Sequence, residues 1–384
     1  MGGNVSVNRN GQVFKAQKID LTQVGLCEFR AKVLTTIAKL NKMFKEEYGE
    51  FLWNPNGAYQ EYFNGSASFV LNMNMEPSEL LNYKPLVGDI DIVVPDTRKK
   101  ELFSLLKKLE NKQLLTYSRY IGSNKIKSSS IGNQINSIFE FSLQNGENVN
   151  VQFDFEFVEF EGDKPTEWAM FSHNSDFRDA KLGIKAVNHK YLIRALVGAV
   201  SYRPDVAIAT ASSRLGSVTL SKSVRDRQAR MLKFSVGRGL REAYEPILDE
   251  NGKVLYMDGK YIYKMTNSKE SEYITNIDEM VMRIFSLTKL DDLDYERFYH
   301  FGGLVDLLHK YTSKEIQQEV HDRYLHLLWK PENGRAQELE AGDPEADLKA
   351  KLPGYQYFVN KLGLEDKSEV YTKEYYKTYG QRKS

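Results

Sequence analysis

The sequence predicts an α+β protein. An N-terminal domain with a mixed or antiparallel sheet flanked by helices precedes a mostly helical C-terminal region that carries a small β-meander. Three observations predict it. Apolar residues recur at helical spacing near the N-terminus, and strict apolar–polar alternation runs through two later segments of the first half. From about Ile277 only helical periodicity remains. The 384 residues suffice for two or three domains, and 41% hydrophobic content supports ordinary cores.

Residues 1–19 read as an irregular polar arm. Between Leu21 and Tyr48, Phe29, Val33, Ile37, Leu40 and Phe44 mark one amphipathic helix. "PLVGDIDIVVPD" reads as a strand, and Leu102, Leu105, Leu106 and Leu109 line one face of the helix that follows. "SIFEFSLQNGENVNVQFDFEFVEF" predicts a hairpin turning at Asn145-Gly146. "KLGIKAVNHKYLIRALVGAV" returns to helix, and Asn251-Gly252 with Asp258-Gly259 predicts the meander. Thr312 and Glu315 form a capping box for a late helix. The expected divisions are an arm over 1–19, a catalytic domain over 20–204, a basic connecting region with the meander over 205–270, and a helical domain over 271–384.

Lys plus Arg total 53 against 52 for Asp plus Glu, so bulk charge does not make the chain a polyanion binder. The charge is nonetheless uneven. Ala207 to Arg241 holds eight basic residues and one acid, and Pro331 to Asp347 holds six acids and one Arg. Arg225, Arg227 and Arg230 could track a nucleic-acid backbone, although a solvated segment explains them equally. Cys27 is the single cysteine, which excludes an internal disulfide framework and a cysteine-based metal site. His173 has no ligand-spaced partner, which argues against zinc. No run of eighteen apolar residues and no signal peptide is evident, so a cytoplasmic protein without membrane contact is expected.

The chemistry concentrates in "GDIDIVV". Aspartate is depleted from strands, yet this one carries Asp89 and Asp91 on one face, opposite Ile90 and Ile92. Two carboxylates this close stay ionised only if solvent bathes them or a cation lies between them. Mg²⁺, or Mn²⁺, is the natural partner for hard oxygen donors. Asp154 arrives on a second strand, whose Asn150, Gln152, Asp154 and Glu156 alternate with Val149, Val151, Phe153, Phe155 and Phe157. Three carboxylates from two strands can hold two metal ions for an in-line displacement. Upstream, Gly65-Ser66 in "YFNGSASF" offers a turn whose backbone can approach a phosphate, or an ordinary turn.

This order of elements resembles the DNA polymerase β-like nucleotidyltransferase superfamily from about Leu21 to Val200, and bacteriophage-type members above all. The shared features are the opening "MGGNV", the "GDIDIVV" and "VQFDFEFV" strands and the tract "WAMFSHNSDFRDAKLGIKAVNHKYLIRAL". The resemblance implies transfer of a nucleoside monophosphate from an NTP, ATP among them, to an acceptor hydroxyl with release of pyrophosphate. The acceptor would be RNA such as tRNA, DNA or protein, and a phage-encoded enzyme would work in the host cytoplasm. Residue by residue, it implies metal ligation by Asp89, Asp91 and Asp154, with Asp154 helping to deprotonate the nucleophile, and triphosphate binding by Gly65 and Ser66. One departure stands out: 22 residues separate Ser66 from Asp89, where the family has a short turn. Either an insertion lies there, placed to act as a lid, or another loop binds phosphate.

After the third carboxylate, Lys185 with His189 and Lys190 with Arg194 share helical spacing. Lys185 and Lys190 are candidates to face the triphosphate, or all four line the wet side of an amphipathic helix. Two other classes compete with a nucleotidyltransferase. One is an inactive member of the fold serving as a scaffold or phage structural protein. The other is a glycosyltransferase using Asp-x-Asp, although its acids would sit at the strand exit rather than before "IVV".

Overall fold

A computed structural model describes residues 5–9, 11–72, 75–123, 134–173, 175–209, 229–266, 272–329 and 344–379. The chain is α+β and divides into two compact units, Met1–Leu182 and Gly183–Ser384. The division falls earlier than residue 204, so the helix bearing Lys185 and Lys190 counts with the second unit.

The first unit opens with strands β1 (Ser6–Arg9) and β2 (Gln12–Lys15), paired antiparallel, where the sequence suggested an irregular arm. Gly11 at φ +80° makes the turn between them possible, because only glycine adopts that conformation without strain. Two-residue β3 (Ile19–Asp20) follows, and Asp20 caps α1 (Leu21–Val24) by accepting from the Thr22 N–H. Gly25, at φ +85°, interrupts the expected single helix, which resumes as α2 (Leu26–Tyr48). β4 (Phe63–Asn64), α3 (Ala67–Val70), α4 (Pro77–Tyr83) and β5 (Leu86–Val87) lead into β6 (Asp89–Pro95). α5 (Lys99–Leu109), β7 (Lys112–Leu115), β8 (Ser118–Ser123), β9 (Gln134–Ser142) and β10 (Asn148–Val158) complete the sheet.

The six strands run in the order β4-β6-β10-β9-β8-β7. Only β6 and β10 are parallel, so the sheet is mixed. Its two faces follow from period-two alternation. Ile90, Ile92, Phe139, Phe153 and Phe155 form one core with Phe29, Val33, Ile37, Leu40 and Phe44 of α2 and with the four leucines of α5. Phe139 and Phe153 pack with centroids 4.7 Å apart. The opposite face carries the acids. Beside them Val7 of the N-terminal hairpin packs on Ile121 and Ile138, with Phe14 against the same cluster.

In the second unit, the helix Ala186–Val200 buries Tyr191, Leu192 and Leu196. His189 lies on the buried side too, its Nε2 2.9 Å from the Phe298 carbonyl, and not on a wet face. In a small sheet, where a meander was expected, Tyr244–Pro246 and Tyr256–Met257 each pair antiparallel with Lys260–Met265. Val206–Ala209 joins it in parallel with Lys260–Met265. Helices Ile277–Phe285, Asp292–Phe298, Phe301–Tyr311, Lys314–Trp329, Pro344–Leu362 and Ser368–Tyr379 follow. The cap of Lys314–Trp329 is one residue later than expected: Ser313 Oγ accepts from the Ile316 N–H, while Thr312 Oγ1 donates to the Leu308 carbonyl. Most of the basic tract, including Arg214, Arg225 and Arg227, lies outside the described residues, as does most of the 331–347 acidic block.

Candidate metal centre

Parallel pairing sets Asp154 opposite Asp91 and Gln152 opposite Asp89, all on the face away from the phenylalanine core. One carboxylate oxygen from each of Asp89, Asp91 and Asp154 lies within 4.8 Å of the other two. Asp89 and Asp154 are buried and Asp91 is half-buried. The hydrophobic anchor of each strand therefore fixes three like charges in one small, poorly hydrated space.

Their surroundings differ. Asp154 accepts from Asn136 Nδ2 at 2.7 Å and from Gln152 Nε2 at 2.9 Å to each oxygen. Gln152 is itself held, because its Oε1 accepts from the Val5 N–H at 3.2 Å. Among the described residues, no side chain hydrogen-bonds to the carboxylate of Asp89 or of Asp91. Burial raises Asp154 to about 6, against the lowering effect of Asn136 and Gln152. It also raises Asp91 well above the usual carboxylate range, with the charges of Asp89, Glu156 and Asp154 adding to the effect. Asp89 is raised by burial too, although Lys84 opposes this. An unbalanced trio of hard oxygen donors fits a divalent cation such as Mg²⁺ or Mn²⁺.

The Gly65-Ser66 turn lies beside this cluster despite the long spacing. β4 pairs with β6, setting Asn64 opposite Asp91. Gly65, at φ +54°, then passes so close that a Cβ there would stand 2.2 Å from Asp91 Oδ2. A side chain at this position would have to displace the Asp91 carboxylate and hold a backbone conformation that favours glycine. Ser66 opens α3 without making a side-chain cap bond. The intervening residues fold as α3, α4 and β5, and β5 pairs with β3. Lys185 takes the N-cap position of the Ala186–Val200 helix, without a side-chain cap bond, and Lys190 lies in the second turn. Both belong to the second unit, whereas the carboxylate cluster is built wholly from the first.

Several contributors were not singled out from sequence. Glu156 follows Asp154 on the same face, and its charge raises all three aspartates. Its signal was present in the alternation of β10. Asn136 and Gln152 gave none, because their role depends on register. Compared with protein-family models, with curated proteins and with solved structures, the chain shows no match.

Proposed function

We propose that the chain is a divalent-cation-dependent nucleotidyltransferase that moves a nucleoside monophosphate from an NTP to an acceptor hydroxyl. The observation that carries this reading is the convergence of Asp89, Asp91 and Asp154, each with a carboxylate oxygen within 4.8 Å of the others. The approach of Gly65 to Asp91 supports it, because it sets a turn able to meet phosphate beside the carboxylates. The sheet order, with the two acid strands adjacent and parallel, suits the nucleotidyltransferase arrangement that the sequence resembles.

Asp89, Asp91 and Asp154 would hold the cation, which when bound neutralises charge on the triphosphate and on the leaving pyrophosphate. The acceptor oxygen attacks the α-phosphorus, forming a new P–O bond as the bond to the bridging oxygen breaks and pyrophosphate departs. Asp154 would take the hydroxyl proton, and Asn136 and Gln152 keep its carboxylate oriented. Gly65 and Ser66 contribute backbone and hydroxyl contacts to the phosphates.

The test uses purified protein, α-labelled NTPs, Mg²⁺ or Mn²⁺, and pooled tRNA, DNA and protein acceptors. Wild type should transfer label, and Asp91→Asn should lose about a hundredfold or more, the scale of a disrupted metal site. Equal transfer by both proteins would sink the assignment.

A further inference from the structure

We propose that Asn64 is the positioning residue of Asp91, donating through Nδ2 to one oxygen of that carboxylate when a divalent cation occupies the three-aspartate cluster. The inference rests on the cation reading given above and adds to it an observation of a different kind, a buried donor with nothing to bond.

β4 and β6 pair antiparallel with Asn64 opposite Asp91, while Phe63 and Ile92 pair on the core side. Both polar side chains therefore leave the same face, and opposed residues of this kind hold their Cβ atoms about 4.5–5.5 Å apart. Asn64 Oδ1 accepts from the Gly65 N–H at 3.0 Å, which fixes the direction of the amide. Nδ2 is left buried with no hydrogen-bond partner, and Asn64 is only 1% exposed. A buried amide donor without an acceptor is unfavourable, and a native fold holds few of them.

The adjacent acceptor is equally unserved. Asp91 takes no hydrogen bond from a described side chain, and its carboxylate lies against the Gly65 backbone. The pairing register makes the Asp91 carboxylate the acceptor directly across the strands from the Asn64 amide. Such an arrangement completes the pattern begun on the neighbouring strand. There Asn136 and Gln152 orient Asp154 from outside the cluster, as hydrogen-bonded neighbours commonly orient ligating carboxylates. Asn64 is the corresponding donor for Asp91.

The experiment titrates Mn²⁺ into the full chain and reads bound metal by electron paramagnetic resonance. Asn64→Leu should weaken Mn²⁺ binding by about 10- to 100-fold, the usual effect of losing an orienting neighbour. Asp91→Asn retains only weak binding through Asp89 and Asp154, and adding Asn64→Leu to it should cause no further loss. Should the leucine variant fail to fold, Asn64→Thr carries the test, since it suits a strand and leaves an acceptor for the Gly65 N–H. Binding by the single variant within twofold of wild type overturns the proposal and leaves the cation reading standing. An equal loss in the Asp91→Asn background also overturns it, because Asn64 would then not act through Asp91. Wild type that binds no Mn²⁺ overturns the cation reading and this proposal together.

Discussion

Asp89, Asp91 and Asp154 stand where packing puts them and not where their charges prefer. Desolvation and mutual repulsion both disfavour the ionised forms, so each carboxylate is raised. The consequence for stability has a definite sign. A carboxyl whose pKa rises from 3.8 to about 6 on folding makes the folded state bind more protons than the unfolded state across that window. Its stabilising effect is full below the unfolded value and is lost as pH rises through the folded one. Without divalent cation, the stability of wild type relative to Asp154→Asn should therefore fall between about pH 4 and pH 6. Mg²⁺ at pH 7 should restore it, because binding selects the ionised forms. Thermal melts of both proteins at several pH values check this. A difference flat across the window would mean that Asp154 ionises as it does in water.

At the scale of elements, the acid face owes its order to a neighbour that the polar N-terminal residues concealed. Val5, Val7, Phe14 and Ala16 pack against Ile121 and Ile138, and the Val5 N–H holds Gln152, which holds Asp154. Deleting residues 1–17 should cost on the order of 3 kcal/mol or more, given the apolar side chains uncovered. Urea denaturation measures it, and an unchanged midpoint would mean the hairpin does not dock in solution. The hairpin was partly legible: Asn10-Gly11 lies between Val7 and Val13, the strongest short-range turn signal, but few apolar residues flank it. Strands β6, β9 and β10 were readable because one face of each is apolar and the period is two. The break at Gly25 and the cap at Ser313 were not, since each depends on local geometry at a single residue. Asp89, Asp91 and Asp154 were readable as misfits in apolar strands. The amides around Asp154 and the unbonded Nδ2 of Asn64 needed register, which alternation alone does not supply.

For the whole molecule, the two units play different parts in what can be tested. The carboxylates, the Gly65-Ser66 turn and the hairpin that steadies Gln152 all lie within Met1–Leu182. The second unit has its own buried aromatic and aliphatic side chains, among them Tyr324, Tyr355 and Phe358. No helix among the described residues is long and apolar enough to cross a membrane. The parallel alignment of β6 with β10 also bears on the order of events when the chain folds. The acids reach one place only after roughly 60 residues of intervening chain have closed a loop, and such non-local parallel pairings form slowly. On the cation reading proposed above, a cation would grip the protein only once these two strands have paired, and the expectation is that this pairing follows the transition state. Saturating Mg²⁺ should slow unfolding, by about a hundredfold at 100 times its dissociation constant, and leave the refolding limb of the chevron unchanged. Stopped-flow measurements with and without Mg²⁺ decide it: faster refolding would place the two acid strands together in the transition state. The metal would then act less as a builder of this fold than as its latch.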